Sequence, residues 1–193
     1  WDVSNVTNMG FMFSAASSFN QPLNSWDVSN VTNMSKLFGG FFGFETIFNQ
    51  SLDNWDVSNV TNMRFMFQDN IAFNQPLNNW DVSSVEEMQF LFDGASSFNQ
   101  PLNNWDVSSV ENMQFQFNGA TSFDQAINNW NVSNVTNMRA MFQGADSFNQ
   151  DISSWNTENV TEMGFMFSNA DIFNQDISTW CVEQIPTEPQ NFA

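Results

Sequence analysis

The chain contains no histidine and no tyrosine, one cysteine, and three basic residues, Lys36, Arg64 and Arg139. Each scarcity excludes something. Without histidine, the commonest general base and the commonest transition-metal ligand are missing. Three cations cannot neutralise a phosphate backbone, and against 21 acidic residues they leave a formal charge of −18, so nucleic-acid binding is not expected. The same charge opposes contact with an anionic membrane. Cys181 has no partner for an internal disulfide and few cations to lower its pKa, so it reads as incidental. Apolar residues come in ones, twos and threes, and no segment reads as a bilayer span. What is abundant is aromatic and sulfur-bearing: 23 Phe, 8 Trp and 11 Met in 193 residues, with 41% hydrophobic residues in all. That content argues for a folded chain in spite of its charge.

The aromatic residues are periodic. Tryptophan falls at 1, 26, 55, 80, 105, 130, 155 and 180, with spacings of 25 except for one of 29. Phe48, Phe73, Phe98, Phe123, Phe148 and Phe173 each precede a Trp by seven residues, as Phe19 does, and Met9, Met34, Met63, Met88, Met113, Met138 and Met163 each follow one by eight. A period in this range predicts a repeat array whose units bury their apolar sides against one another.

One repeat reads WDVSSVEEMQFLFDGASSFNQPLNN from Trp80. Alternation of Trp80 and Val82 with Asp81 and Ser83 predicts a short strand. Val85, Met88, Leu91 and Phe92 have helical offsets. Ser83 with Glu86 and Ser108 with Glu111 have capping-box spacing, and Gly94 stands where a helix would stop. The predicted fold is therefore a β-solenoid, leucine-rich-repeat-like, of about seven and a half 25-residue coils, each a short parallel strand plus a short helical turn, stacked ~4.8 Å apart. The expected domain is a single unit over 1–185 with an insertion at 39–47. The segment 186–193 reads as an end segment leading to a further domain, and both ends of the array read as coil edges. The column Asn20, Asn49, Asn74, Asn99, Asp124, Asn149 and Asn174 predicts an internal amide ladder that pairs backbone groups at a bend.

The string FNQPLNNWDVSSVEEM, with NWDVSNVTNMRFMF at 54–67, resembles the BspA-like repeat of bacterial surface proteins, a distant relation of leucine-rich repeats. The resemblance covers the chain from Trp1 to about Ile185. It implies a secreted or cell-surface protein that binds other molecules, with adhesion to host or matrix proteins among its members. It implies no catalytic motif and no particular ligand.

Three surfaces are candidates for binding. The first is the strand face, with Asp27, Asp56, Asp81, Asp106 and Asn131 beside Ser58, Ser83 and Ser108. Stacked carboxylates favour a polar ligand or a weak calcium site at Asp56, Asp81 and Asp106, against which stands the reading that each Asp bonds its own turn. No cofactor is otherwise expected. The second is a helical stripe of Phe65, Phe90 and Phe115, either exposed for protein interaction or tucked inward by a tighter turn. The third is the insertion with Phe41, Phe42 and Phe44, either docking a partner or covering the coil below. Seven N-glycosylation sequons, at Asn5, Asn30, Asn49, Asn59, Asn131, Asn134 and Asn159, follow from the repeat itself. The expected function is a non-enzymatic extracellular or cell-surface module for binding or adhesion. Its partner would be a protein or glycan on another surface, or copies of itself, with no nucleic acid and no membrane insertion by this segment. The alternative is a structural stalk, filament or surface-layer component assembling through solenoid ends or the Phe stripe.

Overall fold

The structure, a computed structural model, describes residues 1–41 and 43–192. Among them there is no helix and no continuous strand. The strand-plus-helix solenoid is thus overturned. β-Pairing along the stack consists of single-residue parallel bridges linking Asn8, Asn33, Asn62, Glu87, Asn112, Asn137 and Glu162 in succession. Each 25-residue winding is instead a chain of tight turns, and the windings lie on one another.

The backbone explains why. In the winding 55–79, Val60 N–H bonds Val57 C=O, then Met66 bonds Met63, Gln68 bonds Phe65 and Asn70 bonds Phe67, each three residues back. The residues between them donate to the next winding: Met63 to Glu87 C=O at 2.8 Å, Phe65 to Gln89 at 3.0 Å, Phe67 to Leu91 at 3.0 Å and Asp69 to Asp93 at 2.7 Å. Alternate N–H groups therefore serve the turn and the neighbour. This leaves too few consecutive groups for a ladder or a helix, while still pairing the buried backbone. Two left-handed residues per winding, in every full winding except the one that carries the insertion, make the alternation possible. One is the position two after Met, with φ of 60° at Phe65, 60° at Phe90 and 56° at Phe115. The other lies four further on, with φ of 52° at Asp69, 69° at Gly94 and 65° at Gly119. A residue at φ near +60° stops right-handed helix propagation. The apolar spacing that predicted a helix is met here by successive turns. Ser83 starts no helix; its hydroxyl donates to Asp81 at 2.6 Å. The expected strand at Trp80–Ser83 fails for the same reason, because the Asp81 side chain closes a local turn that competes with sheet pairing.

The interior is two columns of phenylalanine beside one of tryptophan. Within a winding the rings pair tightly, with Phe92–Phe98 centroids 4.0 Å apart and Phe117–Phe123 also 4.0 Å. Between windings Phe92 lies 5.6 Å from Phe117, and Phe117 lies 5.7 Å from Phe142. Trp55 and Trp80 stack at 6.5 Å and Trp105 and Trp130 at 6.4 Å, nearly parallel. From Trp55 onward each buried indole N–H is satisfied by the preceding winding, Trp105 by Leu77 C=O at 2.9 Å and Trp130 by Leu102 at 3.0 Å. No winding buries these rings alone, so the apolar gain and the indole hydrogen bonds both belong to stacking.

Polar ladders line the outside. Asn49 Oδ1 accepts Asn74 N–H at 3.0 Å and Gln75 Nε2 at 2.9 Å, and the pattern repeats at Asn74, Asn99, Asp124 and Asn149. This amide ladder forms as expected, but half-buried to exposed rather than internal. The sequon asparagines Asn30, Asn59, Asn134 and Asn159 donate their amides to carbonyls one winding back. At the C-terminal end, Gln190 and Phe192 C=O accept from Phe165 and Phe167 at 2.8 Å each. The Phe192 ring meets Phe167 edge-on at 85°. That end is covered rather than a bare coil edge.

Candidate functional site

The acidic column is exposed, as expected, but its carboxylates are engaged locally. Asp27, Asp56 and Asp81 each accept, on Oδ1, the N–H and hydroxyl of the Ser two residues on; for Ser58 these lie at 3.1 and 2.7 Å. Asp106 accepts Ser108 N–H at 3.0 Å, and Asn131 accepts Ser133 N–H at 3.2 Å. The serine hydroxyl, then the serine amide, hold the carboxyls of Asp27 and Asp106 below the ordinary carboxylate value. Among the described residues no three acidic side chains converge as a metal ion would require, Asp56, Asp81 and Asp106 included.

The phenylalanine stripe is neither a helical face nor fully tucked away. Phe65, Phe90 and Phe115 are half-buried and stack face to face, with centroids 4.7 Å apart at both steps. A bulky residue in the left-handed region costs roughly 1–2 kcal/mol. Two returns offset it here. Each residue's N–H reaches the next winding, Phe90 to Gln114 C=O at 3.1 Å and Phe115 to Arg139 C=O at 2.9 Å, and each stacked ring pair contributes about 0.5–1.5 kcal/mol.

Two of the chain's three basic side chains, Lys36 and Arg64, gather on this stripe, and the third, Arg139, sits on Phe165 in the same column beyond Ala140. Lys36 Nζ lies 5.3 Å from the Phe65 centroid and 5.0 Å from that of Phe41. The Arg64 guanidinium is 5.4 Å from Phe65, and that of Arg139 is 4.8 Å from Phe165. Lys36 also opens a chain of polar contacts along the stack. Its Nζ donates to Gln68 Oε1 at 2.9 Å, Gln68 Nε2 donates to Asp93 Oδ2 at 2.8 Å, and Asn118 Nδ2 donates to Asp93 Oδ1 at 2.6 Å. Burial pushes the Lys36 ammonium down and the carboxyls of Asp69 and Asp93 up. Gln68, Asp93 and Asn118 share one repeat column, five residues after Met, but the residue type there changes from winding to winding and Lys36 joins from another column, so the sequence does not announce the relay.

The insertion is anchored at its base. Thr46 N–H bonds Asp69 C=O at 3.0 Å, and Thr46 Oγ1 donates to Phe38 C=O at 2.7 Å. Phe41 and Phe44 pair through an antiparallel bridge and stand out from the stack, Phe44 being 66% exposed. Phe42 lies outside the described residues.

Two further hollows were not foreseen. An apolar cleft of about 840 Å³ lies between the last full winding and the C-terminal segment, lined by Ile177, Trp180, Ile185, Pro189 and Phe192 among others. A polar groove of about 470 Å³ is lined by Glu86, Glu87, Gln89, Glu111, Asn112 and Thr136, with Ser109 at its side. Its signal in the sequence is the replacement of Thr by Glu86 and Glu111, whose spacing from Ser83 and Ser108 also matches a helix cap.

Comparison with known proteins finds a family described as "Mycoplasma protein of unknown function, DUF285", which matches residues 1–46, 39–125 and 102–193. The overlapping matches follow the internal repetition. No curated protein and no solved structure matches the chain.

Proposed function

The chain belongs to the family described as Mycoplasma protein of unknown function, DUF285, and on that footing we propose that it is a non-enzymatic binding module of the cell surface or extracellular space. The repeat architecture fits a surface or structural role. The resemblance to BspA-like repeats supports the finer reading, adhesion to a protein or glycan on another surface. The observation that carries the proposal is the Phe65–Phe90–Phe115 ladder. It is a half-buried aromatic strip running along the stack, and it draws two of the three basic side chains of a strongly acidic molecule, Lys36 and Arg64, to its Phe65 end. Rigid aromatic anchors flanked by charge are what protein interfaces use at their centres.

The test is binding to surfaces coated with extracellular-matrix protein. A variant carrying Phe65→Asn, Phe90→Asn and Phe115→Asn keeps the left-handed backbone, which Asn tolerates, and removes the rings. Binding should weaken about tenfold or more while the tryptophan emission of the fold is unchanged. Equal binding by the folded variant refutes this face. A structural stalk or filament is favoured by a separate observation, the continuous polar and backbone ladders through the stack. Sedimentation separates the two, since a strict monomer at high concentration opposes self-assembly.

A further inference from the structure

We propose that the groove lined by Glu86, Glu87, Gln89 and Glu111 takes basic side chains, arginine above all, from an extended segment of the partner. This rests on the reading of the chain as a binding module and adds the chemistry of what it holds.

The groove interrupts the repeat at a structural cost. Where other windings carry Thr, the hydroxyl donates to a carbonyl one winding back: Thr32 to Thr7 at 3.2 Å, Thr136 to Glu111 at 3.2 Å and Thr161 to Thr136 at 3.1 Å. Glu86 and Glu111 occupy that column without a hydroxyl to give. Glu87 stands where Asn62 and Asn112 accept the N–H two residues on. Ladder bonds are forgone, and acids are gathered in their place.

Gln89 makes the second, independent observation. It lines the same groove, is only 5% exposed, and its Oε1 is buried with no hydrogen-bond partner among the described residues. An amide oxygen left this way is costly until a donor reaches it. Three carboxylates and an unpaired amide oxygen are all acceptors. The matching ligand is cationic and carries several donors, which describes a guanidinium better than an ammonium.

The chain displays this mode once with its own residue. Arg64 sits over Phe65, with its Nε 3.8 Å from Glu87 Oε2. In the next two windings the rings are Phe90 and Phe115, and Gln89 and Gln114 occupy the position held by Arg64. Asn112 and Asn137 take the place of Glu87 there, and among the described residues the neighbouring Glu111 pairs with no arginine of the chain's own. The acidic groups of the described residues do not converge on a single point, which suits an extended organic cation rather than one metal ion. Glu111 and Thr136 also line an adjoining groove of about 460 Å³ with Asn134, Asn159 and Thr161, so the path continues along the stack.

The experiment uses the whole chain and a fluorescent hexa-arginine peptide, read by anisotropy at near-physiological salt. Saturable binding is expected. The variant Glu86→Gln/Glu87→Gln/Glu111→Gln should bind roughly tenfold more weakly. The control Asp53→Asn/Asp146→Asn/Asp171→Asn, with the same change in charge, should shift affinity less than about twofold. Gln89→Leu, which leaves the charge alone, should weaken binding about threefold or more. Hexa-lysine should bind less tightly than hexa-arginine. The proposal is overturned if the two triple variants lose affinity equally, if the groove variant binds like the parent, or if calcium alone saturates the groove and is lost with the glutamates. The triple Phe variant separates this result from the previous one: peptide binding that survives while matrix binding is absent condemns the aromatic face and leaves the groove standing.

Discussion

Gln116 is the misfit of the core. It occupies the column of Leu37, Met66, Leu91, Met141 and Met166 and is 0% exposed. Both its Oε1 and its Nε2 are buried without hydrogen-bond partners among the described residues. Burying an amide unpaired costs about 1–3 kcal/mol on the scale of protein mutants. Methionine has nearly the same length and volume and is already used at this position in other windings, so Gln116→Met should leave neither cavity nor overpacking. The variant is expected to be more stable by about 2 kcal/mol. For a chain of this size that corresponds to a rise in Tm of roughly 4–8 °C. Urea unfolding followed by tryptophan emission and by circular dichroism gives the measurement, with a higher midpoint and an unchanged slope. Agreement of the two probes matters because repeat arrays can unfold in parts. The reverse change, Leu91→Gln, should lose a comparable amount or more. If Gln116→Met is neutral or destabilising, the amide finds partners in solution and the reasoning fails.

Two further expectations concern the turns and the relay. At Gly119, φ is +65° and an added Cβ would meet Gly94 only at ordinary contact distance, so backbone strain dominates. Gly119→Val should destabilise by about 1–2 kcal/mol, and clearly more than Gly119→Asn, since Asn169 holds the equivalent position at φ 59°; equal midpoints in thermal melts would contradict this. Asp93 accepts from Gln68 and Asn118, faces Asp69 and receives Lys36 through Gln68, and burial raises its pKa above the ordinary 3.8. A carboxyl raised by folding contributes stability that is complete below pH 3.8 and lost as pH climbs through the folded value. The stability difference between Asp93→Asn and the parent should therefore move in favour of the variant from pH 3 to pH 7, whatever its constant offset; a difference that is flat or of opposite slope in urea midpoints would count against the buried charge.

What the sequence made legible was side-chain placement. Column coincidence alone put Trp80, Val82, Val85, Met88, Phe92 and Phe98 in the interior, where they are buried, and found the amide ladder that begins at Asn20. It did not reveal the backbone. Offsets of three and four among Val85, Met88, Leu91 and Phe92 suit a helix, and they suit equally a run of turns in which every second N–H reaches across. The deciding feature is a left-handed residue at Phe90, and phenylalanine gives no hint of φ +60°; Gly94 does, but a glycine there suits the end of a helix equally well. The placement of the candidate surfaces was legible to a similar degree. The Phe stripe and the exposed acids were found, but the Ser hydroxyls claim the Asp column. The groove and the relay depend on Gln68, Gln89 and Asn118, polar residues that look like ordinary surface until burial is known.

The alternating N–H groups have a mechanical consequence. The bonds from Met63, Phe65, Phe67 and Asp69 to the following winding join the two layers side by side along one edge. Tension pulling whole layers apart would load all four together and meet high resistance. Tension on the polypeptide ends would peel one layer at a time, giving a saw-tooth of low, nearly equal forces with an extension set by the repeat length.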